Sequence, residues 1–73
     1  MADEYESHGL SFDANWYAAY AACPGGCGFD ADAFVVNGPY GQIVIEWRCA
    51  TCRTIVNVEG LDRLEQEIAE AYW

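Results

Sequence analysis

Hydrophobic and polar positions alternate along the middle of this chain and change period near its end. Between Phe29 and Asn37, Asp30 and Asp32 fall on one side of an extended backbone and Phe29, Ala31 and Ala33 on the other, before the apolar run Phe34-Val35-Val36. A period of two marks a half-buried strand. Asn37-Gly38-Pro39-Tyr40-Gly41 is dense in turn formers, and Ile43 to Trp47 is β-branched and aromatic, so the two stretches read as a β-hairpin with Tyr40 at its tip. Arg53 to Glu59, carrying Ile55, Val56 and Val58, reads as a third principal strand. Gly60 breaks that pattern. Beyond it Leu61, Leu64, Ile68 and Ala71 recur at helical spacing among Asp62, Arg63, Glu65, Gln66, Glu67 and Glu70, which predicts an amphipathic helix over about residues 61–72. Within it Arg63 can reach Glu67 one turn on.

The segment Phe12 to Ala22 fits both periods. Phe12, Trp16 and Tyr20 recur every fourth residue as on a helix face, whereas Trp16, Ala18, Tyr20 and Ala22 alternate as on a strand. A strand over 16–22 is preferred because it feeds directly into the cysteine loop that follows. Residues 1–11, with Asp3, Glu4 and Glu6 around Tyr5 and a turn-prone Ser-His-Gly, predict a flexible acidic arm, leaving residues 12–73 as one domain. Trp16, Tyr20, Phe34 and Trp47 are expected to build its core. Tyr72 and Trp73 either dock on the sheet or, with Tyr40, offer a contact patch for a partner.

Two cysteine pairs carry the chemistry. Cys23 and Cys27 bracket Pro-Gly-Gly, and Cys49 and Cys52 bracket Ala-Thr. Each pair makes a small chelating loop, and two such loops supply the four thiolates of a tetrahedral metal site. A chain of 73 residues has a marginal hydrophobic core, so a metal staple is expected. His8 lies in the acidic arm and is superfluous to a four-sulfur set. Four thiolates close the coordination shell, which argues against hydrolysis at the metal, and no phosphate loop or nucleophile–base pair is apparent in the sequence. The chain is therefore not expected to be an enzyme.

Net charge limits the partners. Twelve acidic residues stand against three arginines and no lysine, a balance of -9, and four thiolates around a divalent cation add two further negative charges. Phosphate backbones repel such a chain, so nucleic acid is an improbable ligand and a basic protein surface the expected one. Arg48 and Arg53 flank the second cysteine pair, either as charge compensation for an anionic metal site or as a contact spot for a partner. No apolar run reaches membrane-spanning length, and the acidic N-terminus does not resemble a secretory signal. A reducing cytoplasm, where close cysteine pairs are metal ligands more often than disulfides, is the expected compartment.

The Cys-Pro loop followed by Gly28, the hairpin, and then Trp47-Arg48-Cys49-Ala50-Thr51-Cys52 resembles a zinc ribbon over about residues 16–59. That resemblance implies a small metal-stabilised α+β fold: a three-stranded antiparallel sheet, two cysteine loops around one structural Zn2+, and here an added C-terminal helix. It also implies an accessory or regulatory binding module, of the kind frequent in transcription machinery. Rubredoxins, iron electron carriers with two cysteine loops, are the competing resemblance. Against them, the first loop is one residue too long and Arg53 stands where rubredoxin-like loops usually carry glycine. A nucleic-acid-binding ribbon using Arg48 and Arg53 is the remaining alternative.

Overall fold

Each strand of the sheet pairs with the strand that follows it in the chain. The computed structural model, which describes residues 3–73, is a five-stranded antiparallel meander of β1 (Asp3–Ser7), β2 (Leu10–Ala22), β3 (Asp30–Gly38), β4 (Gly41–Cys49) and β5 (Arg53–Val56), completed by the helix α1 (Val58–Tyr72). In a meander the connections alternate between two ends. The β1–β2 and β3–β4 turns lie at one end, and the β2–β3 and β4–β5 loops, which hold the cysteines, lie at the other. Among the described residues, no helix is long and apolar enough to cross a membrane.

The sheet has five strands where the cysteine-loop resemblance implies three. The ambiguous segment resolves as strand, but it starts at Leu10 rather than residue 16, and Asp3–Ser7, within the expected flexible arm, pairs with it as β1. Met1 and Ala2 lie outside the described residues. The signal for this hairpin is Ser-His-Gly: His8 and Gly9 both have positive φ (53° and 76°), the two-residue turn whose twist suits a hairpin. Tyr5 then sits opposite Phe12 and packs against the core, which holds an otherwise acidic strand in place.

The third principal strand also ends early. β5 stops at Val56, and α1 begins at Val58, three residues before the expected start at 61. Asn57 causes the switch. Its backbone amide donates to the Ile45 carbonyl (2.9 Å) and its Nδ2 to the Val44 carbonyl (2.7 Å), fastening the helix start to β4, while its own carbonyl accepts the first helical bond from Leu61. Gly60 is a buried residue of the first helical turn and not a break before the helix. At the far end of α1, Glu67 is buried, accepting from Arg63 Nε at 2.8 Å and from the Tyr40 amide at 3.2 Å. The Arg63–Glu67 pair read from the sequence is thus present, and it also ties the helix to the β3–β4 turn.

One apolar cluster joins helix and sheet: Phe12, Ala14, Val36, Ile43, Ile45, Leu64 and Ile68. Leu64 and Ile68 are almost fully enclosed, and each such side chain contributes about 2 kcal/mol by leaving water. Of the four aromatics expected in the core, none is among its buried members, and only Phe34 packs against it, partly buried. Trp16 and Phe34 continue the same sheet face beyond the helix, stacked 4.9 Å apart, and Tyr20 is 54% exposed. Apart from Phe12, small and branched residues fill the space under α1, whose backbone at Gly60 lies against β4. A second cluster of Cys23, Ala31 and Cys49, bordered by Trp47 and Ile55, lies at the cysteine end. Strand alternation along β3 sets Ala31 on the face opposite Val36.

Candidate metal centre

The meander explains why two cysteine pairs far apart in sequence meet. Cys23 and Cys27 belong to the β2–β3 loop, Cys49 ends β4 and Cys52 precedes β5, so both loops project from the same end of the sheet. The four Sγ atoms lie within 4.8 Å of one another, with Cys27 and Cys49 at 3.5 Å. Sulfurs at the corners of a tetrahedron with metal–sulfur bonds of about 2.3 Å are ~3.8 Å apart, whereas a disulfide needs about 2.05 Å. The cluster therefore has the span of a four-thiolate site, and the cysteines are free thiols. Four soft donors, two buried and two half-buried, fit a tetrahedral thiophilic ion.

The loops are built around the sulfurs. Cys23 donates its amide to the Phe29 carbonyl (2.8 Å) and accepts from the Gly26 amide (3.1 Å), which closes the first loop. Gly25 packs its backbone onto the second pair: a Cβ there would lie 3.0 Å from Cys52 Sγ and 3.3 Å from Ile55 Cδ1. Both loops leave their second cysteine through the left-handed region, Gly28 at φ 86° and Arg53 at φ 63°. An L-residue held there costs about 1 kcal/mol relative to glycine. Arg53→Gly is accordingly expected to stabilise the loaded protein by about 1 kcal/mol, raising its thermal midpoint by a few degrees. Scanning calorimetry checks this, and an unchanged or lower midpoint would show that the Arg53 side chain itself contributes.

Electrostatics differ between the sulfurs. The amides of Cys52 and Thr51 donate towards Cys49 and hold its thiol down to about 7 from the usual 9.0. Cys52 moves the other way, up to about 12, because it shares hydrogen bonds with Cys27 and Cys23 and is surrounded by their developing negative charge. The Phe29 amide pulls Cys27 down, but burial and the thiols of Cys49 and Cys23 outweigh it and leave Cys27 raised. The Cys49 contribution to metal-free stability is present above its unfolded value of 9.0 and is lost as pH falls through about 7. The Cys52 contribution is present below 9.0 and is lost as pH rises towards 12. Metal binding needs thiolates, so protons compete with the ion at every sulfur. Affinity for the ion is therefore expected to weaken progressively as the pH falls, which a chromophoric chelator reports directly.

The other residues singled out by sequence divide between the two ends. Arg48 and Arg53 line one open cleft beside Cys49, with Asp30, Asp32 and Thr54. Arg48 pairs with Asp32 at 3.4 Å and lies 4.3 Å over the Trp16 ring. Asp32, which the sequence did not single out, also accepts the Ala19 amide at 3.0 Å, where residues 18–20 bulge opposite it on β2. Tyr17, Tyr20 and Trp47 form a run of rings 6.0 and 6.2 Å apart. Trp47 reaches the cysteine cluster and Tyr20 remains in solvent. Tyr40 is 59% exposed on the β3–β4 turn. Tyr72 packs edge-on against Phe12, and Trp73 against His8, whose Nε2 is 3.6 Å from Glu65. His8 thus belongs to the end remote from the thiols.

The fold is a small α+β one, and its sulfur cluster suggests a metal-binding module. No protein-family model matches the chain, and neither does any curated protein or solved structure. The class therefore rests on the cysteine geometry alone, which is compatible with a zinc-ribbon-like site.

Proposed function

We infer that this chain is a zinc-ribbon-like binding module whose single Zn2+ is structural and whose acidic surface engages a basic protein partner. Convergence of four Sγ atoms within 4.8 Å carries the reading. Cys23, Cys27, Cys49 and Cys52 would hold the ion, which when bound locks the two loops and leaves no open coordination position. The module is then a non-enzymatic accessory factor of a reducing cytoplasm, and transcription machinery is one setting for it by analogy of fold. The charge of -9 favours a cationic partner over nucleic acid. Arg48, already paired with Asp32 and stacked on Trp16, acts as internal charge compensation.

Affinity capture with the tagged, metal-loaded chain from its native lysate, at low and high salt, tests the reading. Basic proteins released by salt are expected, and Arg48→Ala should leave their capture intact. Capture of nothing, or of acidic proteins only, would contradict it. A colourless loaded protein separates zinc from iron, which is red in this geometry when oxidised.

A further inference from the structure

We propose that the free edge of β1 is the docking site for an extended segment of a basic partner, added to the sheet as a sixth strand with lysine or arginine at every second position. The proposal rests on the basic-partner reading above and gives it a place. β1 pairs with β2 through Ser7–Leu10, Tyr5–Phe12 and Asp3–Ala14, with Glu6–Ser11 and Glu4–Asp13 between them. In a hairpin closed by a two-residue turn, the pair flanking the turn exchanges hydrogen bonds and the next pair does not. Ser7, Tyr5 and Asp3 thus spend their main-chain groups on β2, whereas Glu4 and Glu6 turn their N–H and C=O groups to the open edge. An extended peptide satisfies such groups as a further strand does.

Charge selects the occupant. Glu4 and Glu6 are exposed and share the sheet face opposite Tyr5, and Asp13 stands directly across from Glu4. Like charges opposed on neighbouring strands destabilise a pair, and a cation beside Glu4 on the open side relieves part of that cost. A strand laid beside β1 with basic side chains in this register meets Glu4 and Glu6 on one face, with Asp13 one strand further in. Its alternate residues lie on the side of half-buried Tyr5, where apolar groups are accepted. A second copy of the chain is disfavoured, because its own β1 would bring the same carboxylates into contact.

The test uses the full metal-loaded chain and a labelled alternating valine–lysine octapeptide, compared with the same peptide N-methylated at every second residue along its pairing edge. Binding of the first, weakening with salt, and about tenfold weaker binding of the second support the proposal. Backbone amides of Glu4 and Glu6 should then gain protection from hydrogen exchange on binding. Glu4→Gln with Glu6→Gln should weaken binding several-fold, while Glu59→Gln with Asp62→Asn on α1 should leave it nearly unchanged. Equal binding of both peptides would overturn the edge site yet leave the acidic-surface reading standing. Binding of neither would overturn the edge site, the capture experiment then deciding the broader reading. A dimer in sedimentation that Glu4→Pro dissolves would assign the edge to a second copy and overturn the proposal.

Discussion

Removing the metal with a strong chelator, or replacing Cys49 by serine, is expected to unfold the protein at room temperature. A structural zinc held by a small domain contributes on the order of 10 kcal/mol at neutral pH. A chain of this size has a total stability on the order of 4–11 kcal/mol. The cysteine end has little else to hold it. Besides the cysteines, the only buried member of its cluster is Ala31, with Trp47 and Ile55 partly covered at the border. Without the ion, four thiols and the Gly-Gly loop have no partner stronger than one another. The β2–β3 and β4–β5 connections then cost their full conformational entropy. Circular dichroism should show loss of the sheet signal on chelation and its recovery on adding Zn2+. A metal-free chain with an unchanged spectrum and thermal midpoint would show that the core under α1 is sufficient on its own.

Gly60→Ala is expected to destabilise the protein by about 2–3 kcal/mol, although alanine is the better helix former. On an exposed helix the change would gain about 1 kcal/mol. Here a Cβ would stand 1.9 Å from the Val44 carbonyl oxygen and 2.9 Å from Asn57 Nδ2. The obstacle is backbone in the middle of β4, which cannot move without disturbing the pairing of Val44 with Val35. Nor can the side chain slide past, because Asn57 already bonds the same carbonyl at 2.7 Å. The helix must lift from the sheet, opening the contact of Leu64 and Ile68 with Val36 and Ile43, an overpacking cost that exceeds the propensity gain. A fall in the thermal midpoint of roughly 10–20 °C is expected for a domain this small. A midpoint that rises would mean that α1 does not sit this close to β4.

The same glycine shows where sequence reading succeeds and where it stops. Periodicity found the hairpin of β3 and β4 and the stripe of Leu61, Leu64 and Ile68, because a period of two or of 3.6 is a local property of the chain. The four cysteines were legible for a similar reason, since their spacing within each pair is local and their type is specific. Gly60 reads as a break because glycine is a poor helix former. Its actual role, a close approach to β4, depends on a residue 16 positions earlier and leaves no local trace. Val58, β-branched and 62% exposed, read as strand although the Asn57 bonds to β4 had already turned the chain into the helix.

The acidic run Asp3 to Glu6 failed for a different reason. Composition marks such a stretch as solvated, and its pairing with β2 rests on one side chain, Tyr5, meeting Phe12 across the His8-Gly9 turn. Aromatic residues misled in the opposite sense. Their size makes them the obvious core of a small domain, but beneath α1 the buried ring is Phe12, among Ala14, Val36, Ile43 and Ile45. Trp16 and Phe34 stack on the sheet face past the helix instead, where Arg48 covers the indole. Arg53 combines both lessons. It stands where rubredoxin-like loops usually carry glycine, and its φ of 63° is a conformation that favours glycine.

X-ray absorption at the metal edge, combined with native mass spectrometry of the intact chain, bears most directly on the sulfur site. One zinc per chain surrounded by four sulfurs at about 2.3 Å is the predicted result. A chain that carries no metal, or one lighter by four hydrogens through two disulfides, would contradict it.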